Sequence, residues 1–376
     1  MKRPVFVFVL VVALVLAAGM PFMLKGWEME QLPRPTAGST LPVELQSTEA
    51  PTQASTEAAT EAPTEAPTEA PTEAPVELGN TVYTLSFVGD CTLGSTDQNK
   101  DMGYSFVQTV GENYDYPMAK VRHIFEADDF TIANLEGPLT EGGFKADKEY
   151  AFRGSPAYTA ILTGSSIEAV TTANNHILDY GFEGRADTAA ALTAAGVANA
   201  SREETFLYTT ASGLTIGVYC DDFAFDRTHI ADSIAALREQ GAEVVICAFH
   251  WGQERAYTPD GNQTAWARIA IDAGADIVYG HHAHVLQPIE YYNGGVIFYG
   301  LANFSFGGNQ NPSDKDTVIL QQQFVRNEDG TLEMGETIAI PCSVTSVADY
   351  NNYQPIPLEE GSEAYNRVLS KLGLTE

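Results

Sequence analysis

One pattern limits the fold more than any other: apolar runs of strand length repeatedly stop on a polar or ionisable residue. Thr81–Gly89 (TVYTLSFVG) is followed at once by Asp90, and Asp129–Ala133 leads into Asn134-Leu135-Glu136. Ile167–Thr172 leads into Asn174-Asn175-His176, and Glu243–Phe249 (EVVICAF) runs into His250. Asp276–Tyr279 runs into Gly-His-His-Ala-His at 280–284. Between these runs lie helix-like segments: Glu183–Ala195 stopped by Gly196, Ile230–Glu239 closed by Gly241, and Thr264–Ala273. Leu214–Cys220 and Gly295–Tyr299 read as further strands, and Thr317–Val325 with Thr331–Ile340 as an antiparallel pair. Alternating strands and helices predict an α/β fold, and in such sheets ligands bind outside the carboxyl ends of the strands.

That places Asp90, Glu136, Asn175, His176, His250 and the 281–284 cluster along one edge. Each has a plain structural alternative. Asp90 could cap the following segment, Glu136 could be a solvated turn residue, and the asparagines could serve a turn. A lone histidine at a strand end is more often structural than chemical, but five of the chain's seven histidines fall in these endings. Carboxylates, an amide and imidazoles gathered at one edge suit a borderline divalent metal such as zinc, manganese or iron.

The chain ahead of this pattern is of a different kind. Lys2 and Arg3 precede an apolar run from Pro4 to Leu24, close to the ~20 residues a membrane-crossing helix needs. The run is long for a cleaved signal peptide, so residues 1–25 are expected to be an uncleaved signal anchor with everything after Lys25 outside the cell. No cysteine lies there to carry a lipid. Residues 26–80 are rich in Pro, Thr, Glu and Ala, with four copies of Thr-Glu-Ala-Pro between Thr60 and Pro75. Regular prolines and repelling glutamates predict a disordered, extended linker. The expected organisation is completed by one domain over 81–345 and a C-terminal extension over 346–376 without legible chemistry.

A net charge of −30 argues against nucleic acid or an anionic membrane surface as partner. An anionic substrate would need local compensation. Four scattered cysteines without a CxxC pair support no disulfide framework, and Cys220 and Cys247 read as buried small hydrophobes.

Six stretches resemble the CapA family, capsule synthesis proteins linked to poly-γ-glutamate and related to calcineurin-like metallophosphoesterases. They are VGDCTLG (88–94), ANLEGPLT (133–140), TANNHILDYG (172–181), FHWGQE (249–254), DAGADIVYGHHAHVLQPIEYYNGG (272–295) and FYGLANF (298–304). The resemblance implies a two-sheet β-sandwich flanked by helices with a metal site at one sheet edge. It implies Asp90, Glu136, Asn175 and His250 as ligands, with the closing Gly-His-x-His element in the 280–284 cluster, and His176 as proton donor outside the metal shell. Asp179, Glu254 and Asn303 are expected to orient ligands or meet substrate, and Arg153 in AFRGSP to bind a carboxylate or phosphate. One departure stands out: phosphoesterases carry Asp-x-His at the first strand, where this chain has Asp90-Cys91-Thr92. A second metal is therefore weakened or lost.

In GHHAH itself, an extended backbone would send His282 and His284 to one face and His281 to the other. His282 and His284 are thus the expected ligands, leaving His281 for support or substrate. The implied activity is metal-dependent hydrolysis or group transfer outside the cell. The alternatives are a non-catalytic accessory that binds the polymer or its membrane synthase, and a general surface phosphodiesterase.

Overall fold

A computed structural model describes residues 80–375 except Ala224. The expected anchor, residues 1–25, and all of the linker but its last residue lie outside the described residues. Among the described residues no helix is long and apolar enough to cross a membrane.

Two sheets organise the domain. In the larger, the strands run in the order Ile356–Pro357, Leu332–Ser343, Asp316–Arg326, Thr81–Thr92, Phe130–Leu135, Ala169–Thr171, Ala198–Ala200. Asn303–Phe306 pairs in parallel with the far end of Thr81–Thr92. In the smaller the order is Ile289–Tyr292, Gly295–Phe298, Ile277–His281, Val244–His250, Thr215–Asp222, Phe206–Thr209. Neighbouring strands at the centre of each sheet are parallel, as the strand–helix alternation predicts.

The two sheets face each other across one apolar layer. Leu85, Phe87, Phe130 and Ile132 from the first meet Ile216, Val218, Ile246 and Tyr279 from the second. Phe87 sits edge-on to both Tyr279 and Phe298, with ring centroids 5.3 and 5.6 Å away. Each such side chain, fully buried, contributes about 1.5–3 kcal/mol. The outer face of the larger sheet is covered by Phe106, Phe125, Leu162 and Leu192 from four helices. The helices Arg227–Glu239 and Gly261–Asp272 cover the smaller sheet. The second of them starts on a reciprocal cap, Asp260 with Gln263. The result is a mixed α/β fold of two sheets between helices.

Gly89 and Gly280 lie inside strands. A Cβ on Gly89 would come 2.0 Å from the Ala302 carbonyl oxygen, and one on Gly280 2.0 Å from that of Tyr299. Their missing side chains let neighbouring backbone cross close beneath the site. The first strand accordingly runs on to Thr92, with a register shift between Phe87 and Asp90.

Residues 346–375 pack against the rest of the domain. Tyr353 fills the outer core, Ile356–Pro357 adds an edge strand, and the helix Glu363–Lys371 sends Val368 into the layer between the sheets, where Leu372 follows it. Arg367 and Lys371 both bind Asp316. The four cysteines are free and buried.

Candidate metal centre

The register of the sheets builds the site. In the larger sheet Asn303, Asp90, Asn134 and Thr171 are aligned across four adjacent strands. In the smaller, Asp222, His250 and His281 are aligned across three. Asn303 opens its strand, the other members of the two rows lie at or near the carboxyl ends of parallel strands, and loops one to four residues further on supply Glu136, Asn175, His282 and His284.

Asp90 and Glu136 are both fully buried. Asp90 Oδ1 accepts from Asn134 Nδ2 at 2.8 Å and lies 3.2 Å from His281 Nδ1; its Oδ2 lies 3.2 Å from His284 Nδ1 and 3.3 Å from the His282 backbone nitrogen. Glu136 Oε2 accepts from Thr92 at 3.4 Å, while Oε1 faces His250 Nε2 at 3.5 Å and His284 Nε2 at 4.0 Å. His250 Nε2 also meets Asn175 Oδ1 at 2.9 Å, and the His250 ring lies 4.8 Å from that of His282. The six expected ligands thus converge. The tightest subset is Glu136, His282 and His284, which each offer a ligand atom within 4.8 Å of the others.

Electrostatics separates the roles of these groups. Burial works to raise Asp90, but His281 and His284 hold it well below the usual carboxylate range. Burial, and then the charge of Asp90, pushes Glu136 up to about 8. Burial takes His250 well below its ordinary value and His282 down to about 4, keeping both in the neutral form that ligates metals. Burial opposes the charged form of His284 as well, yet Glu136 and Asp90 raise it to about 9.

Glu136 Oε1, His282 Nδ1 and His281 Nε2 are buried without a hydrogen-bond partner among the described residues. Leaving such atoms unpaired costs about 1–3 kcal/mol each. A divalent cation would satisfy Glu136 Oε1 and neutralise the paired carboxylates, so the donor set fits one.

The histidine turn departs from the expected geometry. His281 ends its strand, but His282 and His284 have φ of 82° and 56°, so strict alternation does not apply. All three histidines approach the acidic pair, and His281 is held against Asp90 rather than pointing away. Ala302, beneath this turn, is also left-handed at 59°. Local strain of this kind concentrates at sites that must hold a geometry.

Among the supporting residues, Asp179 is fully buried and its Oδ2 lies 2.8 Å from His176 Nδ1, as expected of an orienting carboxylate. Asn303 Oδ1 lies 2.8 Å from His284 Nδ1. Glu254 lines the adjoining cleft but makes no hydrogen bond to an imidazole. Arg153 is not brought to the site: it stacks on Tyr180 at 4.5 Å, pairs with Asp97 and lines a separate depression with Ser95 and Lys100. Cys91 is buried, its thiol pushed up to about 12 by burial, so it supplies no thiolate in place of the absent histidine.

Sequence reasoning missed Asn134 and Lys148. Asn134 is the penultimate residue of its strand, two before Glu136, and its place in the strand-end pattern was the available signal. Lys148, in an irregular segment, contacts Asp179 Oδ1 and lies 3.2 Å from His176 Nδ1; nothing in its local sequence marks it. A cleft of about 360 Å³ opens beside the centre, walled by His176, His284, Asn303, Tyr150, Tyr257 and Phe306.

The fold and site define a mixed α/β protein carrying a carboxylate–imidazole centre at the facing strand ends of two sheets. The chain belongs to the family of the bacterial capsule synthesis protein PGA_cap, whose model matches residues 84–222 and 199–308. It is 30% identical over 317 residues to the PGA biosynthesis protein CapA of Bacillus subtilis, covering 77% of this chain and 78% of that one. The capsule biosynthesis protein CapA of Bacillus anthracis is 27% identical over 310 residues, 72% of each chain. A probable polyglutamine synthesis accessory protein of Mycobacterium tuberculosis is 31% identical over 210 residues, 47% of this chain and 55% of that protein. Among solved structures, the NAD nucleotidase of Haemophilus influenzae superposes with a TM-score of 0.41 at 12% identity, over 79% of this chain and 63% of that one. That likeness is too distant to carry a functional argument.

Proposed function

We propose that this chain serves poly-γ-glutamate capsule synthesis, export or anchoring as a metal-dependent hydrolase or transferase. Its domain would be held outside the cell by the N-terminal anchor. The observation that carries the metal reading is the convergence of Glu136, His282 and His284, with Glu136 Oε1 and His282 Nδ1 buried and unpaired. Asp90, Asn175 and His250 complete the set that would hold one or two ions of manganese, zinc or iron. A bound cation would supply Lewis-acid polarisation and charge neutralisation at the cleft.

The chain's own groups have separate tasks. Asp179 fixes the His176 ring through Nδ1, leaving Nε2 to give a proton to the leaving group. Asn303 and Asp90 hold His284 in place, and Asn134 holds Asp90. The names of the relatives support a capsule role, with PGA as the polymer. The name of the Mycobacterium tuberculosis relative favours a second reading, an accessory that binds polymer or synthase without chemistry.

The test pairs elemental analysis of the purified full chain with hydrolysis and transfer assays on γ-glutamyl oligomers. Under the proposal, Asp90→Ala and His250→Ala abolish turnover while the fold survives. Full activity in both variants would sink the catalytic assignment. Bound metal with no turnover on γ-glutamyl or phosphoester substrates would establish the accessory reading instead.

A further inference from the structure

Ten arginines lie among the described residues, and eight of them pair with a carboxylate. With a formal net charge of −30, carboxylates are never scarce. The two without one are Arg227, in the first turn of the helix Arg227–Glu239, and Arg255, which lines the cleft beside the candidate metal centre. Arg255 is also the one lysine or arginine among the residues lining that cleft.

Its backbone is tied to the histidine turn. Arg255 has φ of 63°, a left-handed conformation that is uncommon away from glycine. Its backbone nitrogen donates to the carbonyl oxygen of Ala283 at 2.7 Å, the residue between His282 and His284. One residue on, the Ala256 carbonyl accepts from Gln287 Nε2 at 2.8 Å, and Gln287 is in turn held by Gln263 at 2.8 Å. These bonds register the base of Arg255 to the histidine turn, while its side chain stays exposed. Of the carboxylates lining the cleft, Asp314 accepts from Tyr257 at 2.8 Å and from Lys371 at 2.7 Å.

We infer that Arg255 is the specificity-determining anchor for a carboxylate of the ligand, placed beside the metal ligands to read a singly charged group along a carboxylate-bearing chain. This deepens the proposed function and rests on its reading of the cleft as the polymer site. A single guanidinium matches a monoanionic carboxylate in a fork of two parallel hydrogen bonds. Tyr150, Tyr257 and Phe306 offer aromatic walls for the aliphatic part of each unit.

The test uses the full chain loaded with manganese or zinc, and two probes: tri-γ-glutamate and the same oligomer with its free carboxylates amidated. Wild type should bind the acid more tightly than the amide. Arg255→Gln should weaken the acid by ~10- to 100-fold, the range for one charge-assisted contact. It should leave the amide and the metal content unchanged, with Arg255→Lys in between. Equal binding of the acid by wild type and Arg255→Gln would overturn the inference, as would a parallel loss for acid and amide or no binding of either by wild type. Phenyl phosphate is the third probe, and a larger loss for it than for the acid would overturn the carboxylate assignment. Metal content is read in the same samples, so a chain that takes up no metal fails the metal reading separately, whatever the Arg255 result.

Discussion

Asn134 Nδ2 donates to Asp90 Oδ1 at 2.8 Å, and the same nitrogen lies 3.4 Å from His250 Nδ1. One amide on the larger sheet thereby meets both a carboxylate of its own sheet and an imidazole of the facing one. Its Oδ1 accepts from Thr171 and Asn174 at 3.3 and 3.2 Å, so every polar atom of this buried side chain is engaged.

Asn134→Ala should therefore do two things at once. Losing the amide orphans the Thr171 and Asn174 donors and one side of Asp90, lowering stability by ~1–3 kcal/mol. It should also weaken metal binding by ~10- to 100-fold, as removal of a group that orients ligands does. Thermal melts and metal titration of the same preparation check both. Unchanged metal affinity would show that Asn134 only fills space.

Asp128 predicts a pH dependence away from the metal ligands. Burial pushes its carboxyl up to about 7, with Glu168 and Asp129 adding repulsion, and its Oδ1 has no hydrogen-bond partner. A carboxyl raised in the folded state is ionised at a cost above pH ~7, and that cost is relieved as pH falls from there toward the unfolded value near 4. Asp128→Asn should then stabilise the protein by ~2 kcal/mol at pH 8, after discounting for partial exposure, and by little at pH 4.5. Melts of both proteins across that range with chelator present measure the difference. A constant offset at all pH values would contradict the assignment.

Gly280→Ala tests the close approach beneath the histidine turn. The added Cβ would meet Tyr299 backbone oxygen at 2.0 Å and Trp251 Nε1 at 2.4 Å, and backbone cannot yield as a flexible side chain does. A loss of ~3 kcal/mol or more is expected, at or above the usual range for overpacking. Gly330→Ala serves as a control: its space is open, though its φ of 85° carries its own smaller strain. Chemical denaturation of the two variants should separate them clearly.

Much of this domain is legible before any coordinates. The strands around Asp90, Glu136, His250 and His281 announce themselves because each is an apolar run long enough to be buried on both faces. Their ionisable ends announce the site. What escapes is set by non-local geometry. Lys148 reaches Asp179 from an irregular segment, and Val368 reaches the core from a short amphipathic helix whose partners are far off in sequence. Arg153 reads as an anion-binding arginine in the sequence, yet Asp97 and Tyr180 occupy it. The backbone of the histidine turn could not be read either, since left-handed angles at His282 and His284 are imposed by what packs around them.

On the proposed function, Glu136, His282 and His284 hold a divalent cation. The direct measurement is metal stoichiometry of the purified full chain after supplementation with manganese, zinc or iron and removal of excess. Wild type should carry at least one ion per chain, while Glu136→Ala combined with His284→Ala should carry almost none and keep its cooperative thermal melt. Wild type that stays substoichiometric, or a folded double variant that retains the full complement, would contradict the account.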